Sequence, residues 1–446
     1  MFQKLFETFE ANGFKLYHVG GSVRDMLLGK TPKDYDFTTD ALPTQTQEIL
    51  DRGGFRHWPL GEKFGTIAAF VDDNEVEITT HRKDMTPGRH PDVAFTTKLE
   101  VDLERRDFTM NSMAMDKDGN IIDPFGGQKD LVKRMLKTTG APVSRFGEDP
   151  LRMLRAIRFV SQLDFNMHRR TKSVIYSFAH AIMSVSRERW LEEMNKLLLG
   201  NNVSKALEIL YQTRLLGYIL PEVFPITMKE KGELPSKDLW FHTKKVVSNS
   251  KAQLDVRWAA LLHDIAKPQT RLEDKREVHF FQHEYLGAEI TECVARRLKM
   301  SNEMRHSIKG LVALHQRIGD IVSRKNDPAV SKNALRRLVR DCEGKSCSIE
   351  SLIELFAADC SSKKKGIQER QRSHTGLLRK ALGEMREDEL KPRLPKGIGE
   401  AIMKRFDLKP GPKVGEIKNE LDQMLLDGKI LASMSIDDML AMLRER

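Results

Sequence analysis

The chain has 446 residues, 40% hydrophobic and 31% charged, with a net charge of +10 and a pI near 9.2. That length exceeds a single core and implies two to four domains. No apolar run approaches the roughly 20 residues of a membrane span, so no membrane association is expected. The basic balance favours a polyanionic partner, although acidic residues are also plentiful.

The opening stretch MFQKLFETFEANGF has acidic residues among its apolar positions, which reads as an amphipathic helix and not as a signal peptide. The four cysteines (Cys293, Cys342, Cys347, Cys360) contain no Cys-x-x-Cys pair and are expected to stay reduced, in a cytoplasmic protein. Next comes His18 to Asp25, with adjacent Gly20 and Gly21 closing the run Phe14–Tyr17. Glycines there permit a sharp turn and close approach of a ligand. Residues Val23 to Leu28 read as a helix whose N-terminus suits phosphate oxygens. Asp34 and Asp36 flank Tyr35. On an extended strand they project to one face, where hard oxygen ligands suit Mg²⁺. A phosphate cradle beside two metal carboxylates is the equipment of nucleotidyl transfer.

Thr66–Val71 and Val76–Thr80 predict a hairpin across Asp72-Asp73-Asn74. Glu77, on the second strand, is a candidate third carboxylate, orienting metals or taking a proton from an attacking hydroxyl. In Arg105–Asn111, Asp107 can cap a helix that starts there, and Arg106 can bind phosphate as a planar fork. Four apart on such a helix, Asp107 and Asn111 would share a face offering acceptor and donor to a ribose 2′-hydroxyl. From Glu148 onward helical periodicity dominates. Pro150 belongs in a first helical turn. Arg152, Arg155 and Arg158 then form one stripe and Leu151, Leu154 and Ile157 another. Asp149 as acceptor and Arg152 as donor could present an edge to an incoming base, or the stripe could be a salt-bridged helix face.

The fold class expected is α+β: a small α/β head on a long, mostly helical neck, body and tail. The divisions are head 1–140, neck 141–228, helical body 229–366 and tail 367–446. Lys229 to Glu233 reads as an interdomain loop, and Ser361 to Arg372 as an exposed charged helix or linker.

Gly20–Asp25, Asp34-Tyr35-Asp36, Gly61–Thr66, Arg105–Asn111, Glu148–Phe159 and Ser186–Arg189 together resemble the class II tRNA nucleotidyltransferases, over about the first 225 residues. These are the CCA-adding, CC-adding and A-adding enzymes and their bacterial poly(A) polymerase relatives. The resemblance implies Mg²⁺ on Asp34 and Asp36, and Gly21 and Arg24 near the triphosphate. It further implies ribose selection by Asp107 and Asn111, with Arg106 in the nucleotide site. Asp149 and Arg152 would read the Watson–Crick edge of CTP and ATP, and Arg155 and Arg158 would complete the site. tRNA would bind chiefly through its phosphates.

Downstream, Trp240-Phe241-His242, Leu262–Lys267, His283, His315 and Ala358-Asp359 resemble the His-Asp phosphohydrolase domain of some family members. His263, Asp264, His242 and Asp359 suit a divalent metal with mixed nitrogen and oxygen ligands. His283 and His315 fit extra ligands for a second one. Such metals either hydrolyse phosphoesters or only hold the helices. Asp407–Gly415 reads as a tight turn between helices, touching tRNA phosphates or serving as a plain connector.

The function expected is Mg²⁺-dependent addition of C residues, or of CCA, to tRNA 3′ ends from CTP and ATP, without a nucleic-acid template. The rivals are a bacterial poly(A) polymerase and a His-Asp metal phosphohydrolase with an RNA-binding head. Thr80 to Pro91 lacks the family's tyrosine and is a few residues short, with Pro87-Gly88 favouring a tight turn. Because CC-adding members carry a shortened loop here, this departure points to an enzyme that stops after CC.

Overall fold

A computed structural model describes residues 2–88, 92–228, 238–273, 278–322, 331–361, 365–385 and 392–443. The expected loop at Lys229–Glu233 and the end of the loop at Arg89–Pro91 lie outside these residues. So do the side chains of the charged stretch between Ser361 and Arg372, whose backbone is helical over Lys365–Glu384. The chain is α+β and clusters into two compact units, Met1–Pro221 and Glu222–Arg446.

The first unit is built on seven strands. These are β1 (Leu16–Val19), β2 (Tyr35–Thr39), β3 (Arg56–Gly61), β4 (Thr66–Val71), β5 (Asn74–Thr80), β8 (Ala114–Met115) and β9 (Ile121–Ile122), in spatial order β3-β4-β5-β2-β1-β8-β9. A separate pair, β6 (Arg82–Asp84) and β7 (Val93–Phe95), lies between β5 and β8 in sequence. Asp72 and Asp73, both at positive φ (48° and 62°), make the tight turn joining β4 to β5, as hairpin chemistry favours. β2 and β5 pair in parallel, with Asp36 beside Glu77.

One face of the sheet is closed by the helices Gln3–Ala11 and Pro43–Arg52. Leu5, Phe6 and Phe9 of the first pack with Phe37, Ile49, Leu50, Ile67 and Ile78. This is the predicted amphipathic opening, found as a core element. Towards the other face, Val19 and Ala114 pack with Leu103 and Leu99 of the helix Leu99–Glu104.

The expected helix starting at Asp107 does not form. A helix covers Leu99–Glu104, and after it only a single 3₁₀ turn, Thr109–Asn111, is present. The Asp107 side chain explains the tighter geometry: its Oδ1 accepts from the Phe108 N–H and from Asn111 Nδ2, both at 2.9 Å. That local bonding competes with a regular helix start.

The helix Leu151–Leu163 follows Pro150, and Asp149 Oδ1 accepts from the Leu151 N–H at 3.0 Å. Its apolar stripe is buried through Leu151, Leu154 and Ile157, while Arg158 is also largely buried. The helix Arg187–Leu198 buries Trp190, Met194 and Leu197, and with them the carboxylate of Glu193.

Among its described residues the second unit is helical apart from a short hairpin, Arg271–Glu273 with Val278–Phe280. Its tail packs as a small cluster of Ile398, Ile402, Leu421, Leu425, Ile430, Met439 and Leu440. The turn expected over Asp407–Gly415 is confined to Asp407–Gly411, between the helices Ile398–Phe406 and Pro412–Leu426; Pro412–Gly415 form the first turn of the second helix, where proline is at home.

Candidate active site and metal centre

The first unit holds a cavity of 1050 Å³ lined by Gly20, Gly21, Arg24, Asp34, Asp36, Arg106, Asp107, Asn111, Asp149, Arg152, Arg155 and Arg158, among others. Every nucleotide-binding candidate of the head is therefore on one cavity wall. Glu77 does not line it; it lines a 250 Å³ recess that shares Asp36 and Arg106 with the larger cavity.

At the acidic end, Asp36 lies on β2 and Asp34 immediately before it. Burial raises the Asp36 carboxyl above its ordinary range. Arg106 and Arg24 pull it back, while Asp34 pushes it further up. Glu77 is likewise raised, by burial first and then by Asp36, Asp34 and Glu75. An all-oxygen donor set of this kind, in which neighbouring carboxylates repel, fits a hard divalent cation.

Gly20 stands at φ 75°, and a Cβ there would sit 2.8 Å from Arg106 Nη1 and 3.5 Å from Asp36 Oδ2. Only glycine lets the backbone pass so near both groups. Arg106 is itself held by Asp102 Oδ2 at 3.1 Å, a fully buried carboxylate that also takes Arg105 at 2.7 Å. Burial alone would raise Asp102, but the two arginines bring it to about 2.

The middle of the cavity is a relay of charged and amide groups. Arg24 Nη1 donates to Asn111 Oδ1 at 2.8 Å, and Asn111 Nδ2 donates to Asp107 Oδ1. Asp107 Oδ2 accepts from Arg155 Nε at 2.9 Å and Nη2 at 2.7 Å. Arg155 and Arg158 then converge on Glu193, at 3.7 Å and 3.2 Å. The arginine stripe thus meets anions supplied by the protein itself. Asp107 and Asn111 come together as expected, by a 3₁₀ turn in place of a helix face.

Asp149 and Arg152 are joined only through the backbone, the Arg152 N–H donating to the Asp149 carbonyl at 3.0 Å, and their side chains go to other partners. Asp149 Oδ2 accepts from Arg189 Nη2 at 2.7 Å. Arg152 donates to Glu148 Oε2 at 2.6 Å, to the Arg145 carbonyl and to the Arg105 carbonyl. The β6–β7 loop reaches the same place, its Gly88 N–H donating to the Glu148 carbonyl at 2.8 Å.

Sequence reasoning did not single out Asp102 and Glu193. For Asp102 the signal was its spacing four before Arg106; Glu193 had none, because its partners Arg155 and Arg158 lie on another helix.

In the second unit His242, His263 and Asp359 form one triplet, and Asp264, His283 and His315 another. Within each, one ligand atom per residue lies within 4.8 Å of the others. All six sequence candidates are therefore brought together. His263, His283 and His315 each point Nδ1 at a backbone carbonyl (Ala260, Phe280 and Val312) at 2.9, 3.0 and 2.7 Å. A carbonyl can only accept, so Nδ1 carries the proton and Nε2 presents a lone pair.

The His283 and His315 lone pairs face each other, their Nε2 atoms 3.3 Å apart, and His242 Nε2 lies 3.2 Å from His263 Nε2. Facing acceptors suit a shared cation, and backbone-oriented imidazoles are how metal sites fix their ligands. Burial lowers His315 to about 3. For His242 burial also lowers, but Asp264 and Asp359 more than offset it and raise the group to about 9. Lys267, three residues after Asp264, donates to its carboxylate at 2.7 Å.

Comparison with known proteins agrees with this division. The Poly A polymerase head domain matches residues 16–137, the "Probable RNA and SrmB- binding site of polymerase A" matches 164–226, and the HD domain matches 238–359. The CCA-adding enzyme of Staphylococcus epidermidis is 33% identical over 284 residues, 60% of this chain and 70% of that protein. The CCA-adding enzyme of Geobacillus thermodenitrificans is 40% identical over 263 residues, 58% of this chain and 61% of its own length. Other curated relatives match over little more than half of theirs. The Bacillus stearothermophilus CCA-adding enzyme in complex with CTP superposes with a TM-score of 0.69 at 25% identity, covering 99% of this chain and 97% of that one. The fold is shared by the Thermotoga maritima enzyme complexed with tRNA, at a TM-score of 0.61 and 19% identity, over 99% of this chain and 94% of that one. The chain belongs to the tRNA nucleotidyltransferase and poly(A) polymerase family, in its HD-domain-bearing form.

Proposed function

We propose that the chain is a Mg²⁺-dependent tRNA nucleotidyltransferase that adds C residues to the 3′ end from CTP. The observation that carries this is the convergence of the acidic pair, the Asp107–Asn111 couple and the Arg152–Arg158 stripe on one cavity. Asp34 and Asp36 hold the divalent ion, and Glu77 adds negative charge beside them. Such an ion supplies charge stabilisation at the phosphoryl oxygens during in-line displacement.

The remaining work falls to the chain's own groups. Gly20 and Gly21 admit the triphosphate to the backbone, and Arg24 and Arg106 neutralise it. Asp107 and Asn111 face the ribose. Asp149 and Arg152 read the base, with Arg155 and Arg158 fixing its surroundings. The relatives named as CCA-adding enzymes, one of them seen with CTP, support the nucleotide class and the tRNA end as substrate.

The second unit holds a divalent transition metal on the His242–Asp359 and Asp264–His315 triplets. Location in the cytoplasm, where tRNA is processed, belongs to the same reading.

The test is incubation with tRNA lacking its 3′ end and each NTP separately, followed by sequencing of the product ends. Addition of two C residues from CTP alone is expected, whereas poly(A) tracts from ATP would identify a polymerase instead. The short β6–β7 loop, with Gly88 tied to Glu148, favours a pocket that stops after CC. Efficient ATP addition to a tRNA already ending in CC, at a rate comparable to CTP addition, overturns that finer reading and leaves a full CCA-adding enzyme.

A further inference from the structure

The helix Lys332–Gly344 ends in the two-bond pattern of a Schellman motif. The Cys347 N–H donates to the Cys342 carbonyl at 3.0 Å, and the Ser346 N–H to the Glu343 carbonyl at 3.1 Å. Ser346 takes the left-handed conformation (φ 56°) on which this ending depends. The motif characteristically brings the side chains three residues before and two after the cap into contact. Here both are cysteines. Cys342 is 2% exposed and Cys347 half-buried.

A backbone bond of this kind holds the two α-carbons within about the 4.4–6.8 Å that a disulfide spans. Lys345 lies between them in sequence, and the Cys347 thiol is lowered, by the neighbouring Cys342 first and then, against burial, by the Lys345 ammonium. The spacing is Cys-x₄-Cys, which no sequence rule for redox pairs contains. It becomes a pair only because the helix ends between its members.

We propose that Cys342 and Cys347 are a reversible disulfide site, oxidised by low-molecular-weight disulfides such as glutathione disulfide. The Cys347 thiolate attacks one sulfur of the small disulfide and releases one small thiolate. Cys342, giving its proton to solvent, then attacks Cys347 Sγ in the mixed disulfide and releases the second. Two protein thiols become one disulfide while one small disulfide becomes two thiols. The bond pins the turn, whose residues Gly344–Ser346 wall a 720 Å³ cavity with Phe281, Tyr285 and Lys309. It also fixes that turn over Gly310, where a Cβ would overlap the Lys345 carbonyl. This inference is independent of the transferase reading.

The experiment equilibrates the full chain in glutathione buffers of graded oxidation, quenches with alkylating agent and digests with trypsin. Cleavage after Arg340, Lys345 and Lys363 places the two cysteines on separate peptides, Asp341–Lys345 and Ser346–Lys363. The expected product is this pair joined, two mass units below the sum of the free peptides. Fragment ions should place the link at Cys347 and not at Cys360. The joined pair should return to free peptides on adding dithiothreitol. In Cys347→Ser, whose half-buried site tolerates serine, the joined pair should be absent. Full alkylation of Cys342 and Cys347 at every buffer ratio overturns the proposal. So does a glutathione adduct that persists on Cys347, or a link that survives in Cys347→Ser.

Discussion

The sharpest consequence of the relay concerns Asp107→Asn. Burial would raise this carboxyl, yet Arg155, Asn111 and Arg152 outweigh it and hold it at about 2. An unfolded aspartate titrates near 3.9, and at about 1.4 kcal/mol per pH unit the difference is worth roughly 2–3 kcal/mol. Because the folded value is the lower one, this stability is fully present above the unfolded pKa. It is lost as pH falls through about 4 towards 2, with about half remaining near pH 3. Asparagine keeps the shape and the partner Asn111 but gives up the charge facing Arg155. With a urea m-value of about 2–3 kcal/mol/M, the unfolding midpoint of the first unit should fall by about 1 M at pH 7. The gap should narrow by pH 3. Hydrogen exchange of the Leu151–Leu163 helix reports that unit separately from the second. Equal midpoints at pH 7, or a gap that stays constant down to pH 3, would refute the assignment of the relay as a charge network. Since the same carboxylate is proposed to face the ribose, the variant should also discriminate less against dCTP.

Asp36→Ala should abolish incorporation while tRNA binding, measured by filter retention, stays within a few-fold; Asp34→Ala should behave alike, and near-normal turnover in either would remove the metal assignment. Arg152→Ala should lose C addition or accept UTP and GTP, as scored by single-nucleotide extension, and an unchanged rate and preference would count against base reading by this side chain. His263→Ala should lose a transition metal detected by elemental analysis of the purified protein, and CC addition should survive; a folded variant without transferase activity would show the two centres to be coupled.

Much of this was legible because the signals are local. Two glycines before a helix, an alternate pair of aspartates before a strand, and arginines every three residues each specify a direction for their side chains. The hairpin at Asp72-Asp73 could be read for the same reason. What the sequence hid was set by partners far away in the chain. Whether Asp107 starts a helix depends on bonds to its own neighbours and on Arg155, 48 residues on. The arginine stripe suggested an anionic ligand, but Glu193 already supplies an anion from another helix. The Cys342–Cys347 contact depends on where one helix stops, and boundaries are the least certain part of a sequence reading.

On the proposed reading, these internal partners also account for how one pair of side chains can serve two bases. Arg152 has five N–H donors, and its bonds to Glu148 and to the Arg145 and Arg105 carbonyls occupy three of them. Two donors remain. Asp149 Oδ1 accepts from the Leu151 N–H and from Arg189 Nη1, and Oδ2 from Arg189 Nη2, leaving acceptor capacity on Oδ2. The residual set is therefore two donors and an acceptor, held on a helix start and ordered before any ligand arrives. Cytosine offers two acceptors and an amino donor along its pairing edge, and adenine one acceptor and an amino donor, so both find complements. Uracil and guanine each place a ring N–H where those bases have an acceptor, and that hydrogen would meet a guanidinium N–H. An unmatched donor pair in a partly buried site costs more than a lost bond. Discrimination then comes from the groups that hold Asp149 and Arg152 still as much as from the two side chains themselves. On this account Arg189→Lys, which keeps the charge but gives up the fork onto Asp149, should erode base choice at little expense to CTP binding. An unaltered preference in that variant, measured by the same single-nucleotide extension, would mean that Asp149 is held by its helix cap alone.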